Sequence, residues 1–247
     1  MNAPEAACRN ILLSALSGEE YKELQRDLEP VTLTEGQLIV AQDEPISFVC
    51  FPESGVTSMA EVLPDGTRTD VALIGREGMT NSQLLLGCGL ASHEAIVQIG
   101  HGTSLRLSAE RLKLFCERHP SAQALFLRFT HALSVQTART LTSNLRDPAE
   151  KRLSRWLLMC HDRVHGDEIR LTHEHIGRML GVRRATVTDS LHVLEGHGAV
   201  RSRRGCVFIR DRALLEELAG SSYGFAEGHY RRLIGSFGKG HGHAVPG

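Results

Sequence analysis

"LTHEHIGRMLGVRRATVTDSLHVLEGHGAV", residues 171–200, holds two short helical patterns that meet at one glycine. Thr172 stands where a helix N-cap is needed, and Ile176, Met179 and Leu180 follow on one face. Gly181 then permits the left-handed backbone that other residues resist. Arg183 and Arg184 open a second pattern, in which Val187, Leu191 and Leu194 again share a face. Helix, short glycine turn and helix make a helix-turn-helix, whose second helix, here 183–196, enters a DNA major groove by its N-terminal end. Arg183, Arg184, Thr186 and Thr188 lie near that end. Guanidinium forks suit phosphates and guanine edges, and hydroxyls donate or accept at either.

Outward from this stretch, "GAVRSRRGCVFIRD" reads as two β-prone runs around Arg203-Arg204-Gly205. The pattern predicts a hairpin wing that carries Arg201, Arg203 and Arg204 to phosphates beside the recognition helix. The charge balance agrees. Residues 145–212 hold 14 Lys+Arg against 9 Asp+Glu, whereas the whole chain has a net charge of −1. Thirteen of those 14 bases are arginine. A basic part and an acidic remainder point to nucleic acid as the partner of the former.

Just upstream, "RDPAEKRLSRWLLMCHDRVHG" starts a helix, with Asp147 as expected N-cap, Pro148 in the first turn and Glu150 completing a box-like pair. The Asp147-Pro148 break is the natural domain boundary, because a residue before proline is pushed out of the α region. Before it, residues 121–146 contain neither Gly nor Pro. Leu127, His131, Ser134, Ala138, Leu141 and Leu145 step along them by four and three, as a heptad seam does. A helix of this length spans about 39 Å, more than one small domain needs, and predicts a dimer with two-fold symmetry.

Residues 9–28 read as short helices, and from Val31 to Leu107 frequent glycines separate short β-prone runs. The clearest hairpin is "VTSMAEVLPDGTRTDVALI", turning at Pro64-Asp65-Gly66.

Other chemistries are poorly served. No apolar run approaches the length of a membrane span, and the acidic N-terminus is unlike a signal peptide; the expectation is a cytoplasmic protein. The six cysteines are at least 28 residues apart, so no zinc or iron–sulfur spacing occurs. "HEHIG" lacks the second histidine of a zinc-protease helix; His161 and His165 have i,i+4 spacing but no third ligand beside them. His241 and His243 sit in a glycine-rich tail. No nucleophile elbow or phosphate loop is present, and no metal, cofactor or enzymatic activity is expected.

With these motifs in place, residues 9–218 resemble the Crp/Fnr transcription regulators, most specifically in "LTHEHIGRMLGVRRATVTDSLHVLE" and, more loosely, in "FPESGVTSMAEVLPDGTRTDVALIGREGMT". The resemblance implies an α+β chain with a cyclic-nucleotide-binding-like β-roll, a long dimerisation helix and a winged helix-turn-helix. The expected division is 1–120 for the roll with flanking helices, 121–146 for the dimerisation helix and 147–218 for the DNA-binding domain. Residues 219–247 are expected to be mostly mobile, apart from one short helix around Ala226–Ile234. The implied partners are double-stranded DNA, a second copy of the chain and RNA polymerase.

The family's recognition trio of arginine, glutamate and arginine aligns with 184, 185 and 189, where this chain has Arg184, Ala185 and Asp189. Thr172 joins the expected DNA-contacting residues. Asp189 is suited to a cytosine amine or to a neighbouring arginine. Cyclic-AMP binders have a Gly-Glu before the next turn and an Arg-Ser pair on the cyclic phosphate. Here the matching positions are Gly75, Arg76 and Glu77, then His93 and Glu94. A carboxylate and a largely neutral imidazole are poor phosphate ligands, so cyclic AMP is not expected to bind. The alternative is a ligand-sensing module that works mainly through protein contacts.

Overall fold

The structure is a computed structural model that describes residues 8–239; His241 and His243 lie outside them. Two short helices, α1 (Ile11–Ser14) and α2 (Gly18–Leu24), lead in. Asn10 caps α1, and Ser17 with Glu20 forms a capping box on α2. Seven strands follow: β1 (Glu29–Leu33), β2 (Leu38–Val40), β3 (Phe48–Pro52), β4 (Val56–Val62), β5 (Arg68–Ile74), β6 (Glu94–Ile99) and β7 (Gly102–Ser108). They form two antiparallel sheets, ordered β1-β7-β3 and β2-β6-β4-β5. The β4–β5 hairpin turns where Pro64-Asp65-Gly66 predicts, with the Leu63 amide donating to the Thr67 carbonyl at 2.9 Å.

Helix α3 (Ala109–Arg118) is followed by the long helix α4 (Pro120–Arg146). One face of α4 closes the roll: Leu125, Phe126, Phe129 and Leu133 join Phe51, Ile74, Met79 and Leu107 in a single core. Gln136 fixes the register, accepting from the Leu73 amide at 2.7 Å and donating to the Leu73 carbonyl at 3.1 Å. The expected seam lies elsewhere on the helix. Leu141 is 60% exposed and Leu145 76%, and His131, Ser134 and Ala138 are not part of the roll's core.

Beyond the Asp147-Pro148 break come α5 (Ala149–His161), β8 (Glu168–Ile169), α6 (His173–Leu180), α7 (Arg184–Gly196), β9 (Val200–Arg203), β10 (Cys206–Ile209) and α8 (Arg212–Ala219). Their core includes Leu153, Leu157, Ile176, Leu180, Val187, Leu191 and Leu194, and it continues into Val56, Leu73 and Ile99 of the roll. The two units share apolar surface as well as a chain crossing. Asp147 does not cap α5. Its carboxylate accepts from the Ser222 hydroxyl at 2.5 Å and pairs with Lys151 at 3.1 Å, and the Glu150 side chain makes no cap. The N-cap position is Pro148, one residue later than expected, and the Asp147 partner Ser222 lies 75 positions downstream.

The expectation of a mostly mobile tail is corrected over 219–239. A 3-10 turn at Gly220–Ser222 leads to α9 (Phe225–Leu233), which packs on α4 as the predicted short helix. Ala226, Tyr230 and Phe237 are buried, the last two in the roll's own core. Glycines and histidines dilute the segment's apolar spacing.

Candidate nucleic-acid interface

Thr172 caps α6, its hydroxyl accepting from the His175 amide at 3.2 Å. Gly181 ends that helix with φ 62° and ψ 36°, a conformation costly for any residue with a Cβ. The chain reverses over two residues, and α7 begins at Arg184. Val187, Ser190, Leu191 and Leu194 turn inward, which leaves Arg184, Ala185, Asp189 and His192 on the open face. Arg183 is exposed at the helix entry and Thr186 is half-buried beside it.

The wing is a tight hairpin, Arg203 opposite Cys206 and Arg201 opposite Phe208, turned by Arg204 and Gly205. Strand β8, which carries no clear pattern in the sequence, adds a third strand to it. Arg201, Arg203 and Arg204 are exposed, and the Arg203 guanidinium lies 5.5 Å from the Phe208 ring centre. Among the described residues, none of Arg183, Arg184, Arg201, Arg203 and Arg204 has a carboxylate within salt-bridge distance. Asp189 likewise makes no ion pair among them, so the arginine partner considered for it is not seen.

His173, whose place in the sequence points to no such role, ties the motif together. Its Nδ1 lies 3.0 Å from the Thr188 hydroxyl and its Nε2 lies 3.2 Å from that of Ser202. Thr188 donates its own proton to the Arg184 carbonyl, so it accepts from His173 Nδ1–H, and Ser202 donates to Nε2. Burial, and then the nearby Arg184 charge, push the His173 pKa down, which favours this neutral ring. Glu195 completes the tie by accepting from the Ser202 amide at 2.6 Å. Thr188 therefore stiffens the reading head, and its hydroxyl is less available to bases than its position on α7 suggests.

The five pocket candidates do not converge. Gly75 and Glu77 lie at the junction of the two units, where buried Glu77 meets Arg163 at 2.7 Å. A Cβ on Gly75 would stand 2.8 Å from the Arg163 side chain. Arg76 is half-buried, its carbonyl accepting from the Ile11 amide. Glu94 is opposite Ala60 in the sheet and His93 precedes it, whereas Ile74 is opposite Thr57. Three residues of strand, about 10 Å, separate the two ends. Glu94 is held by Arg68 at 2.7 Å and His93 faces Glu61 at 3.7 Å. The carboxylate expected to repel a phosphate is thus already neutralised by Arg68, 26 residues away in sequence. An open cleft of about 420 Å³ between β5 and α6 is lined by Arg68, Asp70, Gln98, His175 and Arg178.

His161 and His165 do not form a metal pair. His161 is buried between Asp167, 2.9 Å away, and Arg212, while His165 is exposed. Burial is the main cause that lowers the His161 pKa, and the Lys239 and Arg212 charges add to it.

A family model described as a Crp-like helix-turn-helix domain matches residues 151–218. A CRP-like cAMP-activated global transcriptional regulator of Mycobacterium tuberculosis is 23% identical over 203 residues, 79% of this chain and 90% of its own. FixK2 from Bradyrhizobium japonicum superposes with a TM-score of 0.65 at 20% identity, over 78% of this chain and 98% of its own. A CRP-family transcriptional regulator from Thermus thermophilus gives 0.64 at 19%, over 77% and 97%.

Proposed function

We propose a sequence-specific transcription regulator that acts as a homodimer on double-stranded DNA. Residues 151–218 are a Crp-like helix-turn-helix domain, and the chain carries it on the fold of the Crp/Fnr regulators. One observation carries the reading. Five exposed arginines ring the entry of α7 and the wing with no carboxylate paired to them among the described residues, whereas Arg155, Arg163 and Arg212 in the same unit are engaged in hydrogen bonds and ion pairs. Unpaired guanidinium groups that share a surface with an open helix face match a phosphate backbone on either side of a groove. Arg184, Thr186 and Asp189 face bases; Arg183, Arg201, Arg203 and Arg204 hold phosphates, and Thr172 and Thr188 support them.

The α4 seam of Leu127, His131, Ser134, Ala138, Leu141 and Leu145 pairs with its copy. That puts two recognition helices on half-sites about 34 Å apart, one helical turn. The protein works in the cytoplasm, with RNA polymerase as its further partner. Cyclic AMP is not the effector, because the residues at the family's phosphate positions are apart and committed to Arg163 and Arg68. Selection of bound sequences from random duplexes, followed by footprinting, tests the reading. A near-palindromic site whose affinity falls steeply with salt supports it. A monomer that protects no defined site, and whose weak binding is the same on every sequence, refutes it.

A further inference from the structure

The segment that follows the Crp-like domain enters a seam between the two units. Tyr223 donates to Asp162 at 2.6 Å and accepts from Arg212. Residue 224 onward then leaves the DNA-binding unit and crosses to α4 and the roll. Tyr230 donates to the Glu77 carbonyl at 2.6 Å, and Phe237 packs on Tyr230 with ring centres 5.1 Å apart. The Arg163 guanidinium lies 5.1 Å from the Phe237 ring, and the Lys239 amide returns to Asp162 at 3.0 Å. Within seventeen residues, 223–239, the chain touches both units, then comes back to the first.

Polar contacts add to the packing. Arg163 pairs with Glu77 and Arg212 with Asp162 in and around the seam; the segment adds the Phe237 ring to the first pair and the Tyr223 hydroxyl to the second. Removing the segment would take the Tyr230 hydroxyl from the Glu77 carbonyl and open both pairs to water. The space that remains, lined by Glu77, Phe129, Gln136, Arg163, Glu227 and Tyr230, is about 20 Å³, room for a single water. Gly78 is pressed so closely on α4 that a Cβ would lie 2.2 Å from the Phe129 ring. The seam is full.

We propose that residues 223–239 are a built-in strap that holds the DNA-binding unit in one orientation on the roll, and so sets the separation of the two recognition helices without a small molecule. The hold on the DNA-binding unit rests on the contacts above alone; its effect on the separation of the recognition helices, and with it the second readout, rests on the DNA-binding dimer proposed above.

The test uses full-length chains with Tyr230→Ala/Phe237→Ala together, and Tyr230→Phe alone. The first readout is amide exchange at Leu73 and Gly75, whose N–H groups are held at the seam by Gln136 and Glu77. The double variant is expected to exchange there about tenfold faster or more, with distal strands β1 and β7 unchanged. Tyr230→Phe, which removes one hydroxyl, gives a smaller change at the same amides. The second readout is affinity for a paired site against a lone half-site. Loss of orientation lowers effective concentration at the second half-site, so the paired site weakens about tenfold or more while the lone half-site holds within about twofold. If the double variant does not fold, Tyr230→Phe decides by exchange. Unchanged seam exchange in a folded variant overturns the proposal, as does equal loss on both DNAs. If wild-type protein binds no DNA, the function proposed above fails, and exchange alone judges the strap.

Discussion

Arg184 and Arg203 are both exposed arginines of the same unit, yet the fold gives them different neighbours. Arg184 begins α7 on its open face, and Arg203 lies along the wing over Phe208. Arg184→Ala is expected to cost about 1–3 kcal/mol at the preferred site and to relax base preference there; Arg203→Ala should weaken all sequences alike and reduce the salt slope by about 1. Binding titrations on specific and random duplexes across a salt series decide it, and equal losses on both would refute the division of roles. Asp70 gives a second prediction. Burial lifts its carboxyl from an ordinary 3.8 to about 6, against the pull of Ser58, Arg178 and Arg68. The folded state therefore holds a proton that the unfolded chain gives up between those values, and folding loses stability as pH rises through that window. The cost is absent below about pH 4 and complete above about pH 6. Asp70→Asn should raise Tm at pH 8 and leave it nearly unchanged at pH 4; a rise of equal size at both pH values would contradict it. The exposed positions of the arginines were legible in sequence because they depend only on place in a local pattern. His173 was not, because its partners Thr188 and Ser202 are brought near by the wing and no local spacing announces them.

Helix α4 presents two faces with different fates. Its Phe126–Phe129–Leu133 face is consumed by the roll, while Leu141 and Leu145 stand open. Leu141→Glu/Leu145→Glu places like charges across the proposed seam and should yield monomers by sedimentation without loss of helicity. A dimer that survives would move the interface elsewhere. Gly78→Ala probes the other face. The added methyl meets the Phe129 ring, and overpacking of this kind costs about 1–3 kcal/mol, read as a lower denaturation midpoint. Element extents followed well from the sequence: the long helix, the Pro64-Asp65-Gly66 hairpin and the wing all rest on contiguous signals. Caps proved less secure. Asp147 has the right identity for an N-cap, but the helix starts one residue later than expected, with Pro148 at the N-cap position, and the Asp147 carboxylate is held by Ser222 and Lys151; a distant partner leaves no trace in a local window.

At the scale of the molecule, the roll, the long helix and the winged unit were readable, because each is built from periodic segments with turn residues between them. What joins them was not. Glu77 and Arg163 are 86 residues apart, Tyr230 and Glu77 153, and the glycines and histidines of the last segment suggest a loose end. The Glu77–Arg163 pair is almost fully buried, at 3% and 2% exposure, and Arg163 also donates to the Met159 and Leu73 carbonyls. Glu77→Ala would strand that guanidinium and should cost about 3–5 kcal/mol; calorimetry that shows less than about 1 kcal/mol would argue that water enters the seam. The partners of the pocket candidates were hidden for the same reason: Glu77 is held by Arg163 and Glu94 by Arg68, neither of them a neighbour in sequence. Titration with cyclic AMP and cyclic GMP should show no micromolar binding, and such binding coupled to tighter DNA association would overturn that account.

The docking of Tyr230 and Phe237 has a consequence for how the chain is made. The roll's last strand ends at Ser108, yet Tyr230 and Phe237, which finish its core, are synthesised more than a hundred residues later. Domains usually fold as they emerge; here the roll would wait for Tyr230 and Phe237 with Phe129 and Leu133 partly uncovered. Nascent chains stalled at residue 218 should be cut readily by protease around α4, and chains extended past residue 239 should resist. Equal resistance at both lengths would show that the roll matures without its last segment.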